Sequence, residues 1–372
     1  MSKPVHVVIT VNCAWNIWNF RMSLVRELLR RGYRVTVFAP SDHTVDKLVA
    51  TGCKFEPLDM NKSGMNPFGF LLIAGQFRRM IKQLKPSVIL SFTVKNNLVS
   101  TTLGRVMGVP VIPTVTGLGT AFLSGPAVSF VATLLYRFAF RGTSPVIFQN
   151  KDDVAHFCER KIVKENEALL VGGSGIDLQY FRGNILETDD TATTFVMIAR
   201  LLKDKGVMEF AEAAAMIKTS GADARFVLVG PLDAENRTAI SEEVVDGWVE
   251  AGVLTYEGSC EDVRPYIESA SCVVLPSYRE GAPRTLIEAS AMGRPVIATR
   301  VPGCTAVVSE GETGLLCEVR DSVSLAGAMQ QFLAMTAKER KHLGDSGRLK
   351  MEQEFDQALV VDAYTKSVEA AV

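Results

Sequence analysis

Val5-His-Val-Val-Ile-Thr-Val11, then the segment Phe20–Arg31, then Gly32, then Arg34–Ala39: this opening passage decides the fold. An unbroken run rich in β-branched residues reads as a strand buried on both faces, because a strand with one wet face would alternate. Leu24, Leu28 and Leu29 share one face of a helix. Gly32 stops that helix, and Arg34–Ala39 supplies the next strand. The pattern repeats, with strands expected near 54–58, 87–91, 110–115 and 144–148. Parallel strands wrapped by helices, a doubly wound α/β sheet, follow.

At 372 residues the chain exceeds one ordinary core. The run Val171-Gly-Gly-Ser-Gly-Ile-Asp177 suits a hinge, and alternation then restarts, with strands expected near 194–198, 225–229, 253–256, 271–275 and 295–299. Two amphipathic segments close the chain, near 337–353 and 356–371. The expected division is an N-terminal Rossmann-like domain over 1–172 and a second over 173–355. The last helix, about 356–372, is expected to pack back on the first domain.

The formal net charge of −1 hides an asymmetry. Residues 1–172 carry 21 Lys/Arg against 10 Asp/Glu, and between Asp59 and Asp152 there are ten Lys/Arg and no acid. A solvated face normally mixes signs, so such a stretch calls for an anionic partner. Within it, Phe77–Lys85 sets Arg78, Arg79, Lys82 and Lys85 among apolar positions. Pro126–Arg141 sets Arg137 and Arg141 beside Phe130, Leu134, Leu135, Tyr136, Phe138 and Phe140. These six cations are the candidate membrane-facing residues; a buried core helix is the other reading of Pro126–Arg141. No unbroken apolar run of about 20 residues survives the prolines and glycines of Val106–Tyr136, and no signal-peptide pattern precedes the first strand. The expected location is cytoplasmic, peripheral to the inner face of the cell membrane. Seven scattered cysteines without a Cys-x-x-Cys read as small buried hydrophobes.

Chemistry concentrates in the second half. Ser277-Tyr-Arg-Glu280-Gly-Ala-Pro-Arg-Thr-Leu-Ile-Glu288 follows the strand near 271–275 and opens a helix whose first turn contains Pro283. Backbone N–H groups at that helix start favour a phosphate; Gly281, Ala282, Pro283 and Thr285, around it, are candidate donor-binding positions. Glu280 precedes the helix and Glu288 lies on it, so two carboxylates can grip different ends of one ligand through its hydroxyls. Arg200 and Lys205 follow the strand near 194–198, at the carboxyl end where doubly wound sheets bind ligands. A planar fork and a point charge together suit a diphosphate.

These motifs resemble the family-4 retaining glycosyltransferases of the GT-B fold, in which two Rossmann-like doubly wound domains face each other across a cleft. The resemblance rests on Arg200-Leu-x3-Lys205-Gly206, Gly175-Ile-Asp177 with Phe181, Gly230, Gly258, the Glu280-x7-Glu288 pair and Gly293-x-Pro295-Val296, and spans essentially the whole chain. It implies that Arg200 and Lys205 hold the donor diphosphate, that Glu280 meets the donor sugar and that Glu288 meets the ribose hydroxyls. Arg200, Lys205 and Glu280 are thereby the candidate catalytic residues. It further implies a uracil base read near Gly258–Val263. Phe20-Arg21-Met22, Asn66-Pro67-Phe68, Gly117-Leu-Gly119 and Ser277-Tyr278 are similar to the bacterial branch that extends polyprenyl-diphosphate-linked saccharides, particularly N-acetylgalactosaminyltransferases. The implied partners are a UDP-sugar donor, a lipid-linked saccharide acceptor and an anionic membrane surface, with no nucleic acid.

Two departures matter. The first β–α loop reads Asn12-Cys-Ala-Trp-Asn-Ile-Trp-Asn19, where many relatives carry glycines. Thr116 stands where many carry a catalytic His. Trp15, Asn19, Arg21, Thr116 and Gly117 are the acceptor-side candidates. With no carboxylate or His between 60 and 151, Asp42 and His43 are the nearest spare bases, and turn or capping roles suit them better. A front-face displacement fits, in which the departing phosphate takes the acceptor proton. No Asp-x-Asp occurs, so no metal or other cofactor is expected. A UDP-sugar epimerase of the same fold and a non-catalytic membrane-assembly subunit are the competing readings.

Overall fold

The structure is a computed structural model that describes residues 4–60, 67–118, 125–183, 192–232, 236 and 238–372. Asn66 and Gly119, from two of the quoted motifs, lie outside the described residues. The chain divides into two compact units, Met1–Gly175 with Gln357–Val372, and Ile176–Asp356.

The first unit contains β1 (His6–Thr10), β2 (Arg34–Ala39), β3 (Lys54–Pro57), β4 (Val88–Phe92), β5 (Val111–Val115), β6 (Val146–Phe148) and β7 (Ala168–Leu170). They form one parallel sheet in the order β3-β2-β1-β4-β5-β6-β7. β1, β4, β5 and β6 are buried along their whole length, as unalternating apolar runs require. One face of the sheet, with Val7, Ile9, Val37 and Leu90, packs on Leu24 and Leu28 and on Val360, Tyr364 and Val368 of the closing helix Gln357–Ala371. The other face, with Val8, Phe38 and Ile89, packs on Phe77, Met80 and Ile81.

The Asn12–Asn19 segment, read from the sequence as a loop, is instead a helix, Ala14–Phe20. Asp42 supplies what the local sequence lacks: its Oδ2 accepts the Trp15 N–H at 2.7 Å, satisfying a donor at the helix start. Ala14 and Ile17 are buried beneath it. The chain breaks at Arg21, so the helix expected from Phe20 begins at Met22.

The second unit contains β8 (Thr193–Ile198), β9 (Ala224–Val229), β10 (Thr255–Tyr256), β11 (Cys272–Leu275), β12 (Val296–Thr299) and β13 (Gly314–Cys317). Its parallel sheet runs β10-β9-β8-β11-β12-β13. β13 is absent from the sequence expectation. It is four residues long and starts at Gly314, where a Cβ would stand 2.4 Å from the Val296 carbonyl oxygen, so its pairing with β12 is what reveals it. In each sheet the strand order reverses beside the first strand, between β1 and β4 and between β8 and β11. At such a switch point the adjoining loops diverge to opposite faces and leave a crevice.

Candidate active site

The β8/β11 switch point of the second unit gathers the residues that the sequence marks. After β8, Arg200 is exposed, and a 3-10 turn, Lys203–Lys205, leads into the helix Val207–Thr219. Gly206 joins them at φ +77°, and a Cβ there would lie 2.1 Å from the Pro276 carbonyl oxygen. Only glycine lets this turn lie against the loop that leaves β11. The Tyr278 N–H then donates to the Asp204 carbonyl at 2.9 Å. Lys205 Nζ reaches Glu280 Oε1 at 2.5 Å, across 75 residues of sequence. Their side chains are 25% and 12% exposed, so the pair is shielded but not sealed. The neighbouring loop fixes the Glu280 backbone from outside, since a Cβ on Gly303 (φ +84°) would come within 2.4 Å of the Glu280 carbonyl oxygen.

Pro283 caps the helix Arg284–Ala291 rather than lying in its first turn, so the helix starts one residue later than expected. Thr285 is committed to the scaffold: its hydroxyl donates to the Ile198 carbonyl at 3.0 Å, tying the helix start to the end of β8. Gly281 and Ala282 lie half-buried in the loop between Glu280 and that helix. Glu288 accepts from Arg284 Nε at 2.7 Å. Burial pushes the Glu288 carboxyl above its usual range against the pull of Arg284, and nearby Asp262 adds to the rise. Arg284 did not figure among the sequence candidates; its i,i+4 spacing to Glu288 on one helix was the available signal.

Gly230 and Gly258 meet beside this centre. A Cβ on Gly230 would fall 1.8 Å from the Ala199 carbonyl oxygen, and the Gly230 N–H donates to the Gly258 carbonyl at 2.7 Å. Gly258 itself has φ +69° and open space on its side-chain side. Val263 packs on the core next to Cys260.

In the first unit, Trp15 is exposed and Asn19 donates to the Trp15 carbonyl at 3.0 Å. Thr116 and Gly117 are half-buried just past β5. Arg21 is only 5% exposed, with its guanidinium 3.7 Å from the Phe92 ring centroid. Asp42 accepts from Trp15 and Thr44, and these hydrogen bonds outweigh burial and hold its carboxyl below the ordinary range. A carboxylate so committed is a poor proton acceptor.

Arg78, Arg79 and Lys82 are exposed on the helix Pro67–Leu84, and Lys85 just beyond it. The helix Pro126–Phe140 buries Ala132, Tyr136, Ala139 and Phe140 on one face. Its opposite face leaves Val128, Phe130, Val131, Leu134, Leu135 and Phe138 exposed, Phe130 and Phe138 at 63% each. One face of this helix is thus part of the core, and the other is apolar and exposed. Arg137 donates to the Arg160 carbonyl at 2.6 Å, and Arg141 is exposed. The helix Val94–Met107 packs against both of these helices. Leu71 and Leu72 on the first and Val106 on the middle helix are also exposed. Arg105, which the sequence reading passed over, lies 5.0 Å from the Phe138 ring. Among the described residues no helix is long and apolar enough to cross a membrane, and no His/Cys/Asp/Glu group could hold a metal ion.

Comparison with known proteins identifies the family and the fold. Residues 192–335 match the model for glycosyl transferases group 1, and residues 8–150 match the model for glycosyl transferase 4-like proteins. The chain is 28% identical over 367 residues to the N,N'-diacetylbacillosaminyl-diphospho-undecaprenol alpha-1,3-N-acetylgalactosaminyltransferase of Campylobacter jejuni, covering 94% of this chain and 95% of that one. It is 26% identical over 263 residues to the UDP-Gal:alpha-D-GlcNAc-diphosphoundecaprenol alpha-1,3-galactosyltransferase of Escherichia coli, covering 68% and 67%. Among solved structures, sucrose-phosphate synthase from Thermosynechococcus elongatus superposes with a TM-score of 0.81 at 21% identity, over 99% of this chain and 100% of that one. HepE from Anabaena, in complex with UDP-glucose, superposes with a TM-score of 0.79 at 16% identity, over 98% and 99%. The fold is thus GT-B, with two parallel-sheet Rossmann-like domains.

Proposed function

Because the chain belongs to the glycosyltransferases, by the group 1 model over its second half and the 4-like model over its first, we propose that it transfers a hexose or N-acetylhexosamine from a UDP-sugar to a polyprenyl-diphosphate-linked saccharide. The transfer retains anomeric configuration and uses no metal. One observation carries the reading: Lys205 and Glu280 stand 2.5 Å apart at the β8/β11 switch point, with Arg200 on the same loop as Lys205. A cation beside a carboxylate at that place can bind diphosphate and sugar side by side. The printed activities of the Campylobacter and Escherichia relatives support a diphospho-undecaprenol-linked acceptor.

In the reaction, the bond from sugar C1 to the β-phosphate oxygen breaks while C1 bonds to the acceptor oxygen on the same face. The acceptor proton passes to the departing phosphate oxygen, so no separate base is required. Arg200 and Lys205 neutralise charge as it builds on the diphosphate, each contributing about 3 kcal/mol of transition-state stabilisation when well aimed. Glu280 holds the sugar, Glu288 the ribose, and the backbone from Gly258 to Val263 reads the base. The outward apolar residues of Pro126–Phe140, among Arg78, Arg79, Lys82, Lys85, Arg137 and Arg141, seat the protein on anionic lipid beside its acceptor.

The test is a panel of UDP-hexoses and UDP-N-acetylhexosamines offered to synthetic undecaprenyl-diphosphate-linked saccharides, with chelator present and product anomers assigned by NMR. A retained-configuration product in chelator is the expected result. Inversion, or activity that chelator abolishes, overturns the mechanism; absence of transfer from every UDP-sugar overturns the donor.

A further inference from the structure

Tyr278 lies two residues before Glu280 and makes three contacts that the donor roles above do not use. Its backbone N–H donates to the Asp204 carbonyl at 2.9 Å. Its phenol donates to Glu209 Oε1 at 2.7 Å. Its ring lies 4.6 Å from the Arg320 guanidinium carbon. Burial, with Glu209 alongside, holds the phenol protonated far above its usual range, so it stays a donor at any working pH.

Glu209 is the other half of the contact. It sits in the first turn of the helix that follows Lys205 and Gly206, where the helix dipole favours a negative charge. It is 9% exposed, and its second oxygen, Oε2, has no hydrogen-bond partner among the described residues. A buried carboxylate satisfied this sparingly loses much of its anchorage when its hydroxyl donor is removed.

We propose that Tyr278 is a positioning residue: through Glu209 it locks the Lys205 turn and the Glu280 loop into one rigid body, holding their side chains at the spacing that transfer needs. The inference rests on the donor roles of Lys205 and Glu280. The Asp204 contact, made by the backbone, survives substitution; the phenol contact is the replaceable latch. A link between two loops need not change how tightly UDP binds. It changes how often cation and carboxylate are correctly placed together, and misplacement by about 1 Å costs on the order of 100-fold in rate.

The experiment compares Tyr278→Phe, Glu209→Gln, Glu209→Ala and the Tyr278→Phe/Glu209→Ala double variant. Lys205→Ala serves as control. Turnover is followed with UDP-N-acetylgalactosamine and an undecaprenyl-diphosphate-linked saccharide, UDP affinity by calorimetry, and Tm by scanning calorimetry. Tyr278→Phe should lower kcat about 10- to 100-fold with UDP affinity near native and Tm lowered only modestly. Glu209→Ala should match it, and the double variant should be no worse than either single, because one link is lost in all three. Glu209→Gln keeps an acceptor oxygen for the phenol and should restore most of the rate. Native-like turnover in Tyr278→Phe, failure of Glu209→Gln to rescue, or multiplied losses in the double variant overturns the latch. If Lys205→Ala is crippled while Tyr278→Phe is not, the latch alone falls. If neither is impaired, or native protein gives no transfer, the donor reading falls with it.

Discussion

At the scale of single residues, the site pairs each carboxylate with one cation: Lys205 with Glu280 and Arg284 with Glu288. Lys205→Ala removes charge from the departing diphosphate and leaves Glu280 beside it as a repelling neighbour. The expected outcome is a fall in kcat of about 100-fold or more, read in the transfer assay. Glu288 should make nucleotide binding pH-dependent. Burial raises its folded-state affinity for a proton above the ordinary value of 4.5, so its carboxylate is lost on acidification earlier than an exposed one. UDP affinity should therefore decline as pH falls from neutral towards about 4.5, relative to Glu288→Gln. That variant should show no such loss while binding UDP about 10-fold more weakly at neutral pH. For stability the sign runs the other way. With the folded pKa raised, the group's contribution is present below the unfolded value and is lost as pH rises through the folded one.

At the scale of elements, close backbone approach builds the site. Gly206→Ala would bring a methyl to 2.1 Å from the Pro276 carbonyl oxygen at a φ that L-residues resist. The turn must move away from β11 and take Lys205 with it. Urea denaturation should show a loss of about 1–3 kcal/mol, with turnover falling further than a stability loss accounts for. The helix Pro126–Phe140 shows the same economy of position, one face in the core and the other bare. Phe130→Asp/Phe138→Asp changes only the bare face. Flotation with phosphatidylglycerol vesicles at low salt should show partitioning weakened about 10-fold or more while Tm holds. Unchanged flotation would remove the lipid role from that face.

At the scale of the molecule, the last element completes the first unit. Tyr364 fills the core against Phe92, and its hydroxyl shares a 2.8 Å hydrogen bond with Oγ1 of Thr114, the next-to-last residue of β5. Tyr364→Ala should cost the first unit about 3–5 kcal/mol. Denaturation followed by a probe in that unit should shift, while a probe in Ile176–Asp356 keeps its midpoint. Each unit has its own hydrophobic core.

The primary structure alone determined the alternation of strands and helices, the GT-B resemblance and the principal charged residues of the candidate site. These are legible because buried parallel strands must be continuously apolar and because diphosphate and sugar demand particular charges at strand ends. Tertiary structure alone decided which charge meets which. The Lys205–Glu280 contact spans 75 positions, β13 exists only by pairing with β12, and the helix Ala14–Phe20 starts where Asp42 reaches back to it. It also buried Arg21 against Phe92 and left the Pro126–Phe140 helix with one face in the core and the other exposed. The physical reason is common to all: local spacing records what a residue can do, whereas hydrogen bonds, ion pairs and burial depend on neighbours that only the folded chain brings near.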